Sequence, residues 1–207
     1  MKAKRIATSG IFGVIAFLIT FIEFPIFPVL PFLKFDASDS IIIFSNLVYG
    51  FVPSLLTLIV KSFLFLFKSG DGGPIGILMN FISGFVFIGV FQLIKNKINI
   101  FISYFIASTF VGLAMYIANY YIAIPIYTNA KTPDFINSLG LTITNFFILI
   151  ILFNIIKFMV DSLIAYFFDK KLEKYINPWK EDEKWTQKWF KNHIWLIKKI
   201  QGTKNGS

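Results

Sequence analysis

The sequence predicts an all-α, polytopic membrane protein, a six-transmembrane-helix bundle with both termini cytoplasmic. Three observations predict it. Of 207 residues, 56% are hydrophobic and only 15% charged, with a mean hydropathy of +0.71, a balance that one soluble core of this size could not hide. Apolar runs recur at lengths near the roughly 20 residues that a spanning helix needs. Lys and Arg gather at Lys2, Lys4 and Arg5, at Lys95 and Lys97, and beyond Lys170, as the positive-inside rule expects of cytoplasmic segments.

The elements follow in order. Residues 6–24 form the first helix, which ends at Pro25, Pro28 and Pro31. Its basic start resembles a signal peptide, but no small-residue cleavage site precedes Glu23, so it reads as a retained helix. A long outer loop, 25–38, mixes aromatic and charged residues at its centre and is suited to fold down as a lid. Ser38 or Asp39 is placed to cap a second helix over 40–50, and Gly50 and Pro53 break it from a third over 53–68. Both are short and interrupted by polar residues, Asn46 and Lys61. A Gly-rich turn, 69–74, leads to a fourth helix over 75–94. The fifth covers 98–124 and stops near Pro125, and a loop to Ser138 carries Lys131 and Asp134. The sixth occupies 141–168. Residues 1–172 thus read as one six-helix membrane domain and 173–207 as a basic cytoplasmic tail with all four tryptophans, Trp179, Trp185, Trp189 and Trp195. An amphipathic helix on anionic headgroups fits that tail, with a protein contact or disorder as alternatives.

Composition also excludes chemistry. The net charge of +9 flanks apolar spans and so points to lipid and topology rather than nucleic acid. With no cysteine and His193 the only histidine, thiolate nucleophiles, cysteine or histidine metal clusters and a histidine triad are all ruled out. No phosphate loop of the Gly-x-x-x-x-Gly-Lys-Ser/Thr type, no His-Glu-x-x-His and no Gly-x-Ser-x-Gly occurs, so enzyme activity is not expected and any ATP is bound by another subunit.

Polar residues inside apolar helices mark the candidate site, because a group facing hydrocarbon costs at least a few kcal/mol and turns inward to a partner or ligand. Asn154 and Lys157 lie one turn apart within the sixth run. The competing explanation of Lys157 is a structural ion pair with Asp161, four residues on. Asn119 shares its end of the fifth helix with Tyr120, Tyr121 and Tyr127, which suits either a stacked planar ligand or an aromatic belt. Asn80 presents the same choice. In the first helix, Ala3 with Ala7 and Ser9 with Gly13 repeat at i and i+4, spacing that serves close packing within the bundle or against another subunit.

Taken together, Phe-Leu-Lys-Phe-Asp-Ala-Ser-Asp at 32–39, Gly-Pro-Ile-Gly with Asn80 at 73–80, Asn119 followed by Ile-Pro-Ile-Tyr at 124–127, and Phe-Asn-Ile-Ile-Lys at 153–157 resemble the S components of energy-coupling factor vitamin transporters, most closely the riboflavin branch. Asp39 is followed by Ser-Ile where that family commonly has Ile-Pro, and Ile77 stands where it often has an acid. The resemblance implies a multi-pass cell-membrane subunit that captures riboflavin as transported ligand, with no cofactor, and works with a transmembrane coupling subunit and two ATPases. It implies Asn80, Asn119, Tyr127, Asn154 and Lys157 as ligand residues, with Leu33, Lys34, Phe35 and Asp36 as the lid, and the small residues Ala3, Ala7, Ser9 and Gly13 as the coupling surface. Another vitamin, a pterin or pantothenate, and a non-transporting membrane scaffold are the alternatives.

Overall fold

The computed structural model describes residues 3–68 and 73–175, so the tryptophan-rich tail and Asp71 lie outside the described residues. The chain is helical as expected, but several boundaries move for identifiable reasons. Helix α1 (Ala3–Ile19) gives way to tighter turns, with Thr20, Phe21 and Ile22 each bonded three residues back. The loop then makes a two-stranded antiparallel ribbon, β1 (Phe24–Pro25) with β2 (Lys34–Phe35), pairing Phe24 with Phe35 and Pro25 with Lys34. Strands this short carry no periodic signal.

Helix α2 (Asp39–Tyr49) is separated from α3 (Phe51–Phe65) by Gly50 alone, whose φ of 85° is open to glycine and strained for other residues. Pro53 sits in the first turn of α3, where its missing N–H costs nothing, rather than in the break. Neither Ser38 nor Asp39 caps α2. The Ser38 hydroxyl and N–H both donate to Asp36 Oδ1, and Asp39, already helical, directs its carboxylate to buried lysines.

Helix α4 (Gly73–Ile94) precedes α5 (Ile100–Ala118), which Asn99 caps by accepting from the Phe101 N–H. Pro125 does not stop this helix. A π turn over Asn119–Ala123, in which the Ile124 N–H bonds five residues back to Asn119, widens the coil just before the proline ring and lets α6 (Ile124–Thr128) continue. A short helix, α7 (Thr132–Ser138), fills the following loop, and α8 (Ile143–Lys171) begins on a Thr142 cap. Among the described residues, three helical segments, Gly73–Ile94, Ile100–Thr128 and Ile143–Lys171, are long and apolar enough to cross a membrane, while α1, α2 and α3 are shorter apolar helices.

Helix α5 packs along α8 and α4, α1 along α3, and α2 against α8. Gly112 lets α5 approach α8: a Cβ there would lie 3.0 Å from the Ile151 backbone. In the interior of the bundle a column of rings, Phe158–Phe87–Phe91–Tyr104, stacks at centroid spacings of 4.8, 5.8 and 5.0 Å and joins α8, α4 and α5. Between α2 and α3 runs a buried polar seam. Lys61 meets Asp39 at 2.8 Å, Ser45 meets Thr57 at 3.2 Å and Asn46 meets Ser54 at 3.0 Å.

The small residues of α1 divide between two faces. Ala3 and Ala7 are exposed, whereas Ser9 and Gly13 are buried, Gly13 so tightly against α3 that a Cβ would fall 2.5 Å from that of Val60. The smallness of Gly13 is thus spent on packing α1 to α3, while Ala3 and Ala7 face outward.

Candidate functional site

One cavity of about 440 Å³ lies at the loop end of the bundle, within the range of roughly 300–1,000 Å³ typical of small-molecule sites. Its walls are mostly apolar, with Phe65 from α3, Met79 from α4, Met115 from α5, Phe135 from α7 and Phe153 from α8. The π turn helps to shape it, since Asn119 and Ala123 both line the cavity. A local change of helical pitch beside a proline therefore re-aims an amide at the site.

Of the residues expected from sequence, Leu33, Lys34, Asp36, Asn80, Asn119, Tyr127, Asn154 and Lys157 all line this cavity. Phe35 does not: its ring packs on Phe24 at 5.5 Å and lies 5.6 Å from the Lys157 ammonium. Three amides thus converge from α4, the π turn and α8. Asn119 and Asn154 each spend one N–H on their own helix, donating to the carbonyls of Met115 and Ile150 at 2.8 Å. An amide has a second N–H and a carbonyl oxygen left for other partners.

Lys157 is joined to the loop as well as to the helices. Its Nζ donates to the Asp36 carbonyl at 2.9 Å and lies 3.2 Å from Asp36 Oδ2, 3.0 Å from Asp39 Oδ2 and 3.6 Å from Asp161 Oδ2. The pair with Asp161 exists, but it is the longest of these contacts. An ammonium has three N–H donors, and the Asp36 carbonyl and carboxylate take up two of them, so the loop is the main hydrogen-bond partner of Lys157. Burial alone would raise the Asp36 pKa, but the charges of Lys157 and Lys61 and both bonds from Ser38 outweigh it, holding this carboxyl well below the usual range.

Sequence reasoning passed over Glu23, which lines the cavity and bridges loop and helices. Its carboxylate lies 2.6 Å from Lys34 and 2.7 Å from Lys68. A lone acid ending an apolar helix was the available signal. Phe32, Phe65, Met79, Ser83, Met115, Phe135 and Phe153 also line the cavity, and nothing in their spacing separates them from core residues.

A multi-pass apolar bundle holding a cavity lined by a loop and by converging amides is a small-molecule-binding protein of the cell membrane. Residues 4–167 match the family model described as "ECF transporter, substrate-specific component", and the chain belongs to that family, whose members are transport components rather than enzymes. It is 31% identical over 179 residues to the riboflavin transporter RibU of Staphylococcus aureus (strain TCH60), covering 84% of this chain and 92% of that one. It is 29% identical over 134 residues to the riboflavin transporter FmnP of Bacillus subtilis (strain 168), covering 62% of this chain and 70% of that one. A solved structure described as the S component of a bacterial ECF transporter superposes with a TM-score of 0.69 at 30% identity, covering 84% of this chain and 98% of the other.

Proposed function

We propose that this chain is the riboflavin-capturing subunit of an energy-coupling factor transporter. The observation that carries the reading is the convergence of Asn80, Asn119 and Asn154 on one largely apolar cavity. A flavin offers a flat ring system for the apolar walls and a donor–acceptor edge, with ribityl hydroxyls, for the amides. Relatives bearing the name of riboflavin transporters at 31% and 29% identity support the same substrate.

In this reading the loop of Leu33, Lys34 and Asp36 closes over the ligand, and Lys157 exchanges an Asp36 contact for a ligand oxygen. Six membrane-inserted helices, α1 to α5 and α8, put both termini in the cytoplasm and the cavity toward the outside. The outward alanines Ala3 and Ala7 give a coupling subunit a close approach to α1. ATP hydrolysis belongs to separate ATPase subunits, and residues 173–207 form a cytoplasmic tail.

Titration of detergent-purified protein into riboflavin, followed by flavin fluorescence with other vitamins as competitors, tests the substrate. Saturable quenching relieved only by flavins is expected. A folded sample that quenches nothing, or whose quenching a pterin or pantothenate relieves equally well, would reject riboflavin.

A further inference from the structure

Lys61 lines no part of the cavity, yet its side chain is fully buried on α3, 2.8 Å from Asp39 Oδ1. Removing a charge from water costs several kcal/mol, and an apolar residue of similar shape often does as well for stability. Helix pairing does not require this ion pair, because α2 and α3 are also joined by Ser45 with Thr57 and Asn46 with Ser54. What Lys61 does uniquely is divide the Asp39 carboxylate. Oδ1 goes to Lys61, while Oδ2 goes to Lys157, 3.0 Å away.

We propose that Lys61 is a positioning residue, which holds Asp39 so that Lys157 keeps its grip on Asp36 and the loop stays closed over the cavity. Without Lys61, Asp39 has Lys157 as its remaining ammonium partner and draws it closer, away from the Asp36 carbonyl at 2.9 Å and carboxylate at 3.2 Å. The loop loses a charge-assisted anchor that spans 121 residues of sequence. The link to vitamin capture rests on the function proposed above, whereas the link to loop closure does not.

Hydrogen exchange of the ligand-free, full-length protein separates the two. In Lys61→Met, the amides of residues 33–38 should exchange roughly tenfold faster or more, while those of α5 and α8 keep their wild-type rates. Lys61→Arg should restore slow exchange, and Lys61→Gln, which keeps a donor without the charge and is the milder change should Lys61→Met fail to fold, should fall between. Thr57→Val cuts a neighbouring rung of the same seam and should leave the loop unchanged. Loop exchange at the wild-type rate in both Lys61→Met and Lys61→Gln, or an equal acceleration in Thr57→Val, would overturn the proposal. A riboflavin titration of the same variants should show weaker binding by a similar factor. If the wild-type protein binds no flavin, the substrate assignment falls, and the exchange data still decide the role of Lys61.

Discussion

Asn154 and Lys157 are one turn apart on α8, yet their removal should have opposite signatures. Asn154 is anchored only to its own helix, through a bond to a carbonyl that the backbone ladder already uses. Replacing it with alanine should therefore leave the unliganded protein about as stable as before. What is lost is a buried hydrogen bond to ligand, worth about 1–3 kcal/mol, or a rise in Kd of roughly 5- to 150-fold. Lys157 is different, because its ammonium lies among three carboxylates at 3.2, 3.0 and 3.6 Å. Lys157→Met takes the ammonium away from Asp36 and Asp161 and leaves Asp39 with Lys61 alone, at about 3–5 kcal/mol for breaking such a buried cluster, a large share of a typical stability of roughly 5–15 kcal/mol. Both quantities come from one preparation, with a thermal melt without ligand followed by a fluorescence titration at a temperature where each variant is folded. Asn154→Ala should melt with the wild type and bind weakly, whereas Lys157→Met should melt well below it. Unchanged affinity in folded Asn154→Ala would remove that amide from the site. A wild-type melting temperature for Lys157→Met would refute the assignment of that ammonium as the anchor of the acids.

Because its folded pKa lies below the normal carboxylate value, Asp36 contributes stability that is complete above about pH 4 and lost only as the pH falls through the depressed value. Loop exchange, corrected for its intrinsic pH dependence, should thus be flat between pH 5 and 7.5, and a midpoint in that window abolished by Asp36→Asn would contradict this. Glu23→Gln weakens two partly exposed ion pairs to Lys34 and Lys68, so a melt should shift by no more than about 1 kcal/mol, and a larger loss would show that the outer latch bears more load. Gly112→Ala should destabilise more than Gly84→Ala, since the first new methyl meets α8 backbone at 3.0 Å and the second only the movable end of Leu58 at 2.8 Å; melts in the reverse order would contradict that packing.

How far the site was readable depends on the range of each interaction. Lys157 and Asn154 stood out because a polar group in an apolar run of spanning length needs a partner, whether a ligand or another side chain. The i,i+4 partner Asp161 was visible for the same local reason, and it is present. The dominant partners, Asp36 and Asp39, lie more than a hundred residues away in sequence, and no periodicity reports a contact of that span. Asp39 shows the conflict directly. Local rules make it a helix cap, but two buried ammonium groups outbid the free amides of one turn for its oxygens. At Pro125 the proline rule predicted an end, and the π turn relieved the ring clash instead. At Gly13, spacing alone could not say which neighbour the small residue admits, and the structure gives it to α3.

The two parts of the bundle are held by different forces, and this bears on where it can move. In the interior, the column from Phe158 to Tyr104 is stacked ring on ring, and no apolar group there gains by separating. At the loop end, Lys157, Lys61 and Glu23 hold loop and helices together by charge-assisted contacts. A ligand bearing hydrogen-bonding oxygens can replace such contacts one for one, whereas it has nothing to offer a stack of phenyl rings. On the function proposed above, opening for capture would therefore be confined by chemistry to the segment from β1 to the start of α2, with α5 and α8 as the frame against which it moves.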